Sequence, residues 1–486
     1  MPAATSNNYD RFDLPVRTLF IDDGDICDQT GLKRVVHPST KHAGNPVLWA
    51  EMPWEDQRVL LGGSVLKGPD GLRMWYQGQI KGPESAPKSG GIVNLYAESK
   101  DGVNWTRPNL GQWEFNGSTA NNLYAPMGAR RSGFRGPMGG RWDHNQSVMY
   151  TPQLGENRRF TMLSRIYGRG VIPYAGSGVA FSRDGIDWVD GPDEPVIPGW
   201  GDVTWFMYDD VANKFRGTLK TALNVRGWSR RTPMYTVGSD LYNWGLPKPP
   251  FLHDEQDDAW TEGHADRYTQ FYGMPMVRYE SVTLGLLEIF RCYDGAKSTD
   301  GFLDVQLGVM REGGKWERVG DRTPVIQLGG EGTWDAAIIQ TGSSLVVDGD
   351  VVRVYFTGSR YRHGDKGKRN NETWQAIGMA TWPRDRMVGM RAGNPGGEIV
   401  LRQKVQGRAL HINADALGGE VVVEVANPRG TPIGGFEAAK CVPLRESSLD
   451  HTVLWEGSWP ITGLAGTEVE IRIKMQNAEV FSLWWE

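Results

Sequence analysis

The sequence predicts an all-β chain: a five-bladed β-propeller followed by a C-terminal β-sandwich. Glycine supplies 63 of the 486 residues, well above the roughly 7% that is usual, and tryptophan supplies 20. That composition indicates many tight turns between short strands and disfavours a helical bundle. A turn signature that ends in Trp also recurs at the spacing of propeller blades, and the pattern changes near residue 393 to evenly spaced alternating strands.

The recurring turn is the first element that supports this architecture. Its copies are Ser-Lys-Asp-Gly-Val-Asn-Trp at 99–105, Ser-Arg-Asp-Gly-Ile-Asp-Trp at 182–188, the shorter Ser-Asp-Leu-Tyr-Asn-Trp at 239–244, a degraded copy at 310–316 and Thr-Trp-Pro-Arg-Asp at 381–385. Asp-Gly favours a tight turn because Gly tolerates positive φ and Asp bonds its own backbone. An alternating or apolar run precedes each copy, so we predict five four-stranded units. One large sandwich, or two all-β domains, is the alternative.

The domain boundaries follow from the same patterns. We predict an N-terminal segment at 1–50 that packs on or closes the propeller, the propeller itself at 51–393, and the sandwich at 394–486. The stretch Arg-Ala-Gly-Asn-Pro-Gly-Gly at 391–397 reads as a linker. The predicted sandwich strands are 398–401, 409–413, 420–425, 451–455, 468–474 and 480–485.

Charge and composition exclude several classes of function. The net charge is −5, so a broad nucleic-acid surface is not expected. No apolar run approaches the ~18–20 residues that a membrane span needs, and the N-terminus lacks the apolar region of a secretory signal. Cys27, Cys292 and Cys441 are odd in number and far apart, which favours a reduced, cytoplasmic setting. We expect no cofactor and no metal, and a homo-oligomer is compatible with the sequence.

Carboxylates recur where the innermost strand of each unit begins. In a propeller these positions converge on one central funnel. The residues are Glu55 and Asp56 in unit one, Asp143 in unit two, Asp202 in unit three, Asp266 in unit four and Asp335 in unit five. Trp54, Trp142, Trp200 and Trp334 lie beside them.

Converging carboxylates with aromatic neighbours are what cleavage of a glycosidic bond requires. One carboxylic acid protonates the leaving oxygen, and another carboxylate attacks the anomeric carbon or activates water. The structural alternative is that each Asp caps a turn and each Trp packs between blades. We expect at least two of Asp143, Asp202 and Asp335 to line the site. The predicted catalytic residues are Asp143, Asp202, Glu55, Asp56 and Asp335.

Several motifs resemble those of known enzymes. They are Asn-Pro-Val-Leu at 45–48, Pro-Trp-Glu at 53–55, Arg-Met-Trp-Tyr at 73–76, Tyr-Ala-Glu-Ser-Lys-Asp-Gly at 96–102, Phe-Tyr-Gly-Met at 271–274, Asp-Val-Gln-Leu at 304–307 and Gly-Thr-Trp-Asp at 332–335. With them, nearly the whole chain resembles the five-bladed propeller glycoside hydrolases of families 32, 43 and 117. It looks most like bacterial family 32-like proteins with a C-terminal sandwich.

The resemblance implies where the catalytic acids lie. In those enzymes they open the inner strands of blades one to three, which corresponds here to Glu55 or Asp56, Asp143 and Asp202. The Asn-Asp-Pro-Asn, Arg-Asp-Pro and Glu-Cys motifs of family 32 are absent, and Asp202 stands where those enzymes have Glu. The roles of the acids, and retention against inversion, therefore stay open.

Two functions remain under consideration, with a third as a distant alternative. The first is a glycosidase that acts on a furanosyl or other glycosyl unit of an oligosaccharide. The second is a non-catalytic carbohydrate-binding propeller, which would need aromatic and amide groups but no pair of acids with separated pKa values. The third is a metal-dependent lactonase, whose cation Asp143 and Asn145 would help to hold. The predicted substrate-binding residues are Trp54, Arg141, Trp142, His144, Asp266, Tyr272, Glu288 and Trp334.

Two charged segments carry further expectations. The loop before unit two contains Arg130, Arg131, Arg135 and Arg141, and its alternatives are a solvated loop or a rim that binds an anionic group of the substrate. Arg141, two residues before Asp143, is the candidate for that contact. The acidic run His-Asp-Glu-Gln-Asp-Asp at 253–258 predicts a solvated loop or, alternatively, a lid.

Overall fold

The chain is nearly all strand. The computed structural model describes residues 16–56, 58–80, 91–124, 146–167, 175–293, 300–365 and 374–486. The one α-helix among them is the four-residue α1 (Glu255–Asp258). No helix in these ranges is long and apolar enough to cross a membrane.

The strands between residues 59 and 383 form five successive groups, preceded by four N-terminal strands. The N-terminal strands are β1 (Thr18–Leu19), β2 (Ile26–Thr30), β3 (Leu32–Val36) and β4 (Thr40–Lys41). Group 1 contains β5 (Val59–Leu60), β6 (Val65–Gly68), β7 (Gly71–Ile80) and β8 (Gly91–Ser99). Group 2 contains β9 (Ser147–Tyr150), β10 (Phe160–Tyr167), β11 (Ala175–Ser182), β12 (Trp188–Asp190) and β13 (Ile197–Pro198).

The other three groups follow in order. Group 3 contains β14 (Thr204–Asp209), β15 (Lys214–Val225) and β16 (Trp228–Gly238). Group 4 contains β17 (Tyr268–Phe271), β18 (Met276–Tyr279), β19 (Val282–Cys292), β20 (Gly301–Met310) and β21 (Glu317–Arg318). Group 5 contains β22 (Ile338–Thr341), β23 (Val346–Asp348), β24 (Val351–Ser359) and β25 (Gln375–Pro383), and β4 pairs with the free edge of β25.

The groups contact one another in a closed order. Ser64 Oγ accepts from the Val148 amide (3.0 Å), Ser147 Oγ from the Phe206 amide (2.8 Å), and Thr218 Oγ1 donates to the Met274 carbonyl (2.7 Å). Groups 4 and 5 share a parallel pairing of Leu303 with Ile338. The Val65 amide of group 1 donates to Ser344 Oγ of group 5 (2.8 Å). The first strands of all five groups therefore face a common centre.

The recurring turns connect neighbouring groups. In each of the first two copies the Asp side chain, Asp101 or Asp184, accepts from the amides two and three residues later. The hydrogen bonds from Asn104 lower the pKa of Asp101. The carbonyl of Gly185 in the second turn accepts from Trp75 Nε1 of group 1 (2.8 Å). The turn is structural, as its sequence indicates, and it also joins two sheets.

The acidic run at 253–258 is not a solvated loop, so that prediction is wrong. Asp254 caps α1, and Asp257 is buried beside Arg318 (3.0 Å). Asp258 pairs with the buried Arg230 (2.8 Å). Arginines on the neighbouring strands neutralise the run, and nothing in the sequence between them announces that pairing.

The last seven strands form two further sheets together with the N-terminal ones. They are β26 (Val388–Ala392), β27 (Gly397–Lys404), β28 (Leu410–Asp415), β29 (Glu420–Ala426), β30 (Ser447–Thr452), β31 (Glu468–Gln476) and β32 (Ala478–Trp485). One sheet has the order β3-β26-β32-β28-β30, with β1 on β32, and the other has the order β2-β27-β31-β29. Both contribute to one hydrophobic core.

The N-terminal segment is shared between the two parts of the molecule. Phe20 belongs to the core of the last two sheets, whereas Leu19 and Ile21 belong to the core of groups 4 and 5. Successive side chains of a strand point to opposite faces, so this segment fills two cores at once. Val388–Ala392 does the same, and the sequence-based boundary at 393 lies after this strand.

Candidate functional site

Asp202 and Lys220 form an ion pair where group 3 faces the centre. The Gly201 amide donates to the Lys220 carbonyl (2.9 Å) and the Lys220 amide donates to the Val203 carbonyl (3.0 Å), which fixes the two residues side by side. Lys220 Nζ contacts Asp202 Oδ1 directly. The Asp202 side chain is 42% exposed and that of Lys220 is 10% exposed, so the carboxylate is the accessible partner.

Tyr272 covers this ion pair from group 4. Lys220 Nζ lies 4.4 Å from the centre of the Tyr272 ring. Burial lowers the pKa of the Lys220 ammonium, and Asp202 offsets part of that effect. Burial, with a smaller contribution from Asp202, raises the pKa of the Tyr272 hydroxyl well above its ordinary value. Tyr272 is therefore a neutral hydroxyl at physiological pH.

Glu288 lies behind the inner strand of the same group. The Tyr272 amide donates to the Glu288 carbonyl (2.8 Å), and the Glu288 amide donates to the Gly273 carbonyl (2.9 Å). The Glu288 side chain is fully buried, and burial raises its pKa to about 8. Gln340 and the Thr341 amide are near enough to favour the charged form slightly, but neither carboxyl oxygen accepts a well-formed hydrogen bond.

A glycine separates the Glu288 carboxyl from the centre. A Cβ atom added at Gly273 would lie 2.7 Å from Glu288 Oε2 and 3.3 Å from Trp205 Nε1. Group 1 repeats the arrangement, because a Cβ at Gly62 would lie 2.3 Å from Gln77 Oε1. Group 4 thus places a carboxyl where group 1 places an amide.

Aromatic and cationic side chains surround Tyr272. Its hydroxyl lies 3.1 Å from His363 Nε2, and the Arg231 guanidinium lies 5.5 Å from its ring centre. Arg58 lies 4.9 Å from the centre of the Trp374 ring and donates to Gln375 Oε1 (3.0 Å). Sugar hydroxyls and ring faces are the groups that such a lining can bind.

Glu55 lies elsewhere and its oxygens are occupied. The carboxylate is fully buried in the loop before β5. It accepts from Tyr76 Oη (2.7 Å), from Arg107 Nε (2.8 Å) and from the amides of Glu51 and Met52 (2.8 and 3.0 Å). These contacts are those of a structural carboxylate that holds a loop in place.

Trp54 and Asp56 flank Glu55. Trp54 Nε1 donates to Asn122 Oδ1 (2.7 Å), and its ring packs edge-on against Phe115. Asp56 has a φ of 47° and pairs with Gln79 through an isolated bridge. Both residues therefore take part in the packing of group 1.

Asp335 and Trp334 face the edge of group 5. The Asp335 carboxylate is buried and contacts Lys41 of β4, and it accepts from Thr333 Oγ1 (3.0 Å). Trp334 stacks on Phe356, with a centroid distance of 5.7 Å. Asp266 lies exposed in the loop before β17. The structure does not group these three residues with Asp202.

Four predicted residues, Arg141, Trp142, Asp143 and His144, lie outside the described residues. The structure brings together Asp202, Tyr272 and Glu288 among the predicted ones. It adds Lys220, which the sequence analysis missed. A lysine inside an otherwise apolar alternating run was its signal, as the glutamate was for Glu288. Within the described ranges, no three His, Cys, Asp or Glu side chains are placed to hold a metal ion.

The comparisons with known proteins give structural similarity without sequence similarity. No family model matches the sequence, and no curated protein matches it. A glycoside hydrolase structure has a TM-score of 0.45 and 14% identity, covering 71% of this chain and 92% of its own. A β-1,2-mannobiose phosphorylase from Listeria innocua has a TM-score of 0.46 and 9% identity, covering 72% and 97%. A family 32 β-fructofuranosidase from Bombyx mori has a TM-score of 0.42 and 9% identity, covering 93% of each chain.

Proposed function

We propose that groups 1–5 are the blades of a five-bladed propeller and that the last two sheets form a sandwich. The closed order of contacts from group 1 to group 5 and back supports the propeller. The common core of the two remaining sheets supports the sandwich. The funnel of the propeller is then the place where Asp202, Lys220 and Tyr272 meet.

We propose that the protein is a glycoside hydrolase. The observation that carries this proposal is the pair of carboxyl groups beside Lys220. Asp202 is accessible and ion-paired, whereas Glu288 is buried and has a raised pKa. Two titratable groups whose environments separate their pKa values are the usual acid–base arrangement of a hydrolase site. A module that only binds sugar has no need of such a pair.

The proposed substrate is an oligosaccharide from which one glycosyl unit, in the first instance a furanosyl unit, is removed. The carboxylate of Asp202 would act on the anomeric carbon or on the attacking water, and a carboxylic acid would protonate the departing oxygen. Asp143 is the further carboxylate that the sequence predicts for this funnel. Arg58, Lys220 and Arg231 favour a substrate that carries a negative charge.

The test is turnover of a panel of aryl furanosides, aryl pyranosides and oligosaccharides by the Asp202→Asn variant. We expect a loss of at least about 100-fold in kcat, the scale of acid–base or nucleophilic catalysis, with an unchanged melting temperature. Asp210→Asn, at the exposed opposite end of β14, is the matched control. Near-native turnover by Asp202→Asn would remove Asp202 from catalysis. Sugar binding by the wild type without any turnover would identify a carbohydrate-binding propeller instead.

A further inference from the structure

Glu288 is held in an arrangement that packing alone does not explain. Both of its carboxyl oxygens lack a well-formed hydrogen bond, and so does the indole Nε1 of Trp205. Each buried polar group left without a partner costs about 1–3 kcal/mol. The acceptor and the donor both border the space that a side chain at residue 273 would occupy. The chain thus keeps two unpaired polar groups around one glycine.

The surroundings of Glu288 are otherwise free of charge apart from one cation. From β14 comes the neutral Trp205, and from β22 come Gln340 and the Thr341 amide. From β15 comes the Lys220 ammonium, and from the segment after β17 comes the Tyr272 hydroxyl. Lys220 is also the partner of Asp202. The buried acid and the exposed carboxylate therefore share one cation.

We propose that Glu288 is the proton donor of the site, reaching the departing oxygen of the substrate through the gap at Gly273. This inference rests on the proposed glycosidase function. The O–H bond of the Glu288 carboxyl breaks as the glycosidic C–O bond breaks, and the proton ends on the departing oxygen. An attacking water gives its proton to a second carboxylate, and solvent returns one proton to Glu288. Both sites are thereby restored.

The local electrostatics suit both halves of this cycle. With a pKa of about 8, Glu288 holds its proton at pH 7 without needing a neighbouring acid. Once it has lost the proton, the Lys220 ammonium stabilises the new carboxylate. The assignment leaves Asp202 and Asp143 for the steps at the anomeric carbon.

The first experiment compares leaving groups in Glu288→Gln. A dinitrophenyl leaving group needs little protonation, whereas an alkyl or sugar leaving group needs a full proton. We expect Glu288→Gln to lose at least about 100-fold in kcat/KM with the poor leaving group and less than about 10-fold with dinitrophenyl. Wild-type kcat/KM falls as pH rises through about 8, and the variant loses this basic limb. Glu288→Asp, which keeps a carboxyl on a shorter side chain, should retain the limb.

The control variant separates this role from a structural one. Glu280→Gln removes another buried glutamate of the same hairpin, one that pairs with Arg384 (3.0 Å), and it should leave the leaving-group dependence unchanged. Equal losses of Glu288→Gln on both leaving groups, or a surviving basic limb, would overturn the proposal.

The second experiment closes the gap itself. Gly273→Ala places a methyl group 2.7 Å from Glu288 Oε2. Gly285→Ala, on β19 of the same hairpin, meets Met274 Sδ at 2.8 Å and is equally crowded without touching Glu288. We expect Gly273→Ala to reproduce the leaving-group pattern of Glu288→Gln, whereas Gly285→Ala keeps wild-type kcat per folded molecule.

The two proposals fail in different ways. An inactive Asp202→Asn beside a Gly273→Ala with wild-type leaving-group dependence contradicts the role of Glu288 and leaves the hydrolase. A wild type that hydrolyses nothing in the panel contradicts both.

Discussion

At the scale of single residues, the environment decides what each ionisable side chain does. Glu55 and Glu288 are both fully buried. Glu55 accepts four or more hydrogen bonds and pairs with Arg107, whereas Glu288 has no well-formed bond and a raised pKa. A carboxylate with every lone pair occupied stabilises a loop. A neutral acid beside a gap is available for proton transfer.

His253 gives a residue-scale prediction on stability. Its ring stacks on Phe271 at a centroid distance of 3.8 Å, and burial, with a smaller effect of Arg230, lowers its pKa from 6.5 to about 3. The unfolded chain binds this proton and the folded one does not, so stability is full above pH 6.5 and falls as pH drops towards 3. We expect His253→Phe to remove on the order of 3 kcal/mol of the stability lost between pH 7 and pH 4.

The measurement for His253 is urea unfolding at a series of pH values. The exposed His264→Gln serves as control, and it should retain the acid dependence of the wild type. Parallel curves for His253→Phe and the wild type would show that His253 titrates alike in both states.

At the scale of elements, the recurring turn fixes one sheet against the next. Gly185 has a φ of 80°, and an added Cβ would lie 2.8 Å from the Trp75 ring of group 1. Gly313, in the degraded copy, has a φ of 71° and open space around it. Substitution by Ala costs both turns the same left-handed backbone strain of about 1–2 kcal/mol.

The prediction for the turn is a difference between two alanine variants. Gly185→Ala should destabilise by a further ~1–3 kcal/mol over Gly313→Ala, because the methyl group displaces the Trp75 ring. The check is chemical denaturation of both variants beside the wild type. Equal free energies of unfolding would mean that the turn does not hold group 2 against group 1.

At the scale of the whole molecule, the two parts are built from interleaved chain. Strands β1–β3 belong to the last two sheets, and β4 closes group 5. Buried Asp385 joins them, accepting from Arg17 Nη1 (2.9 Å), Tyr279 Oη (2.7 Å) and Ser482 Oγ (2.6 Å). The ends of the chain therefore meet beside groups 4 and 5.

Truncation tests this interleaving. A chain that ends at 393 keeps β1–β3 and β26 without their partners, so we expect it to aggregate. A chain spanning 37–387 removes the unpartnered strands as well and should give the higher soluble yield. Size-exclusion chromatography of both products is the measurement. A soluble, monomeric 1–393 chain would show that the C-terminal sheets are dispensable.

Local pattern carried much of the fold. The Asp-Gly-Trp turns, the alternating strands and the change of pattern near residue 393 are short-range signals, and short-range sterics and hydrogen bonds decide them. They predicted a nearly all-β chain, and they placed Asp202 and Tyr272 at the start of inner strands. The structural similarity to glycoside hydrolases agrees with the resemblance found in the motifs.

What tertiary structure decided is which charges meet. The sequence ranked Glu55 and Asp335 with Asp202, because each stands before a strand next to a Trp. Only the packing of distant strands gave Glu55 to Arg107 and Asp335 to Lys41, and left Lys220 between Asp202 and Glu288. Burial and pairing depend on neighbours that are tens or hundreds of residues away, so the pKa of a carboxyl, and with it its chemistry, is a property of the folded chain.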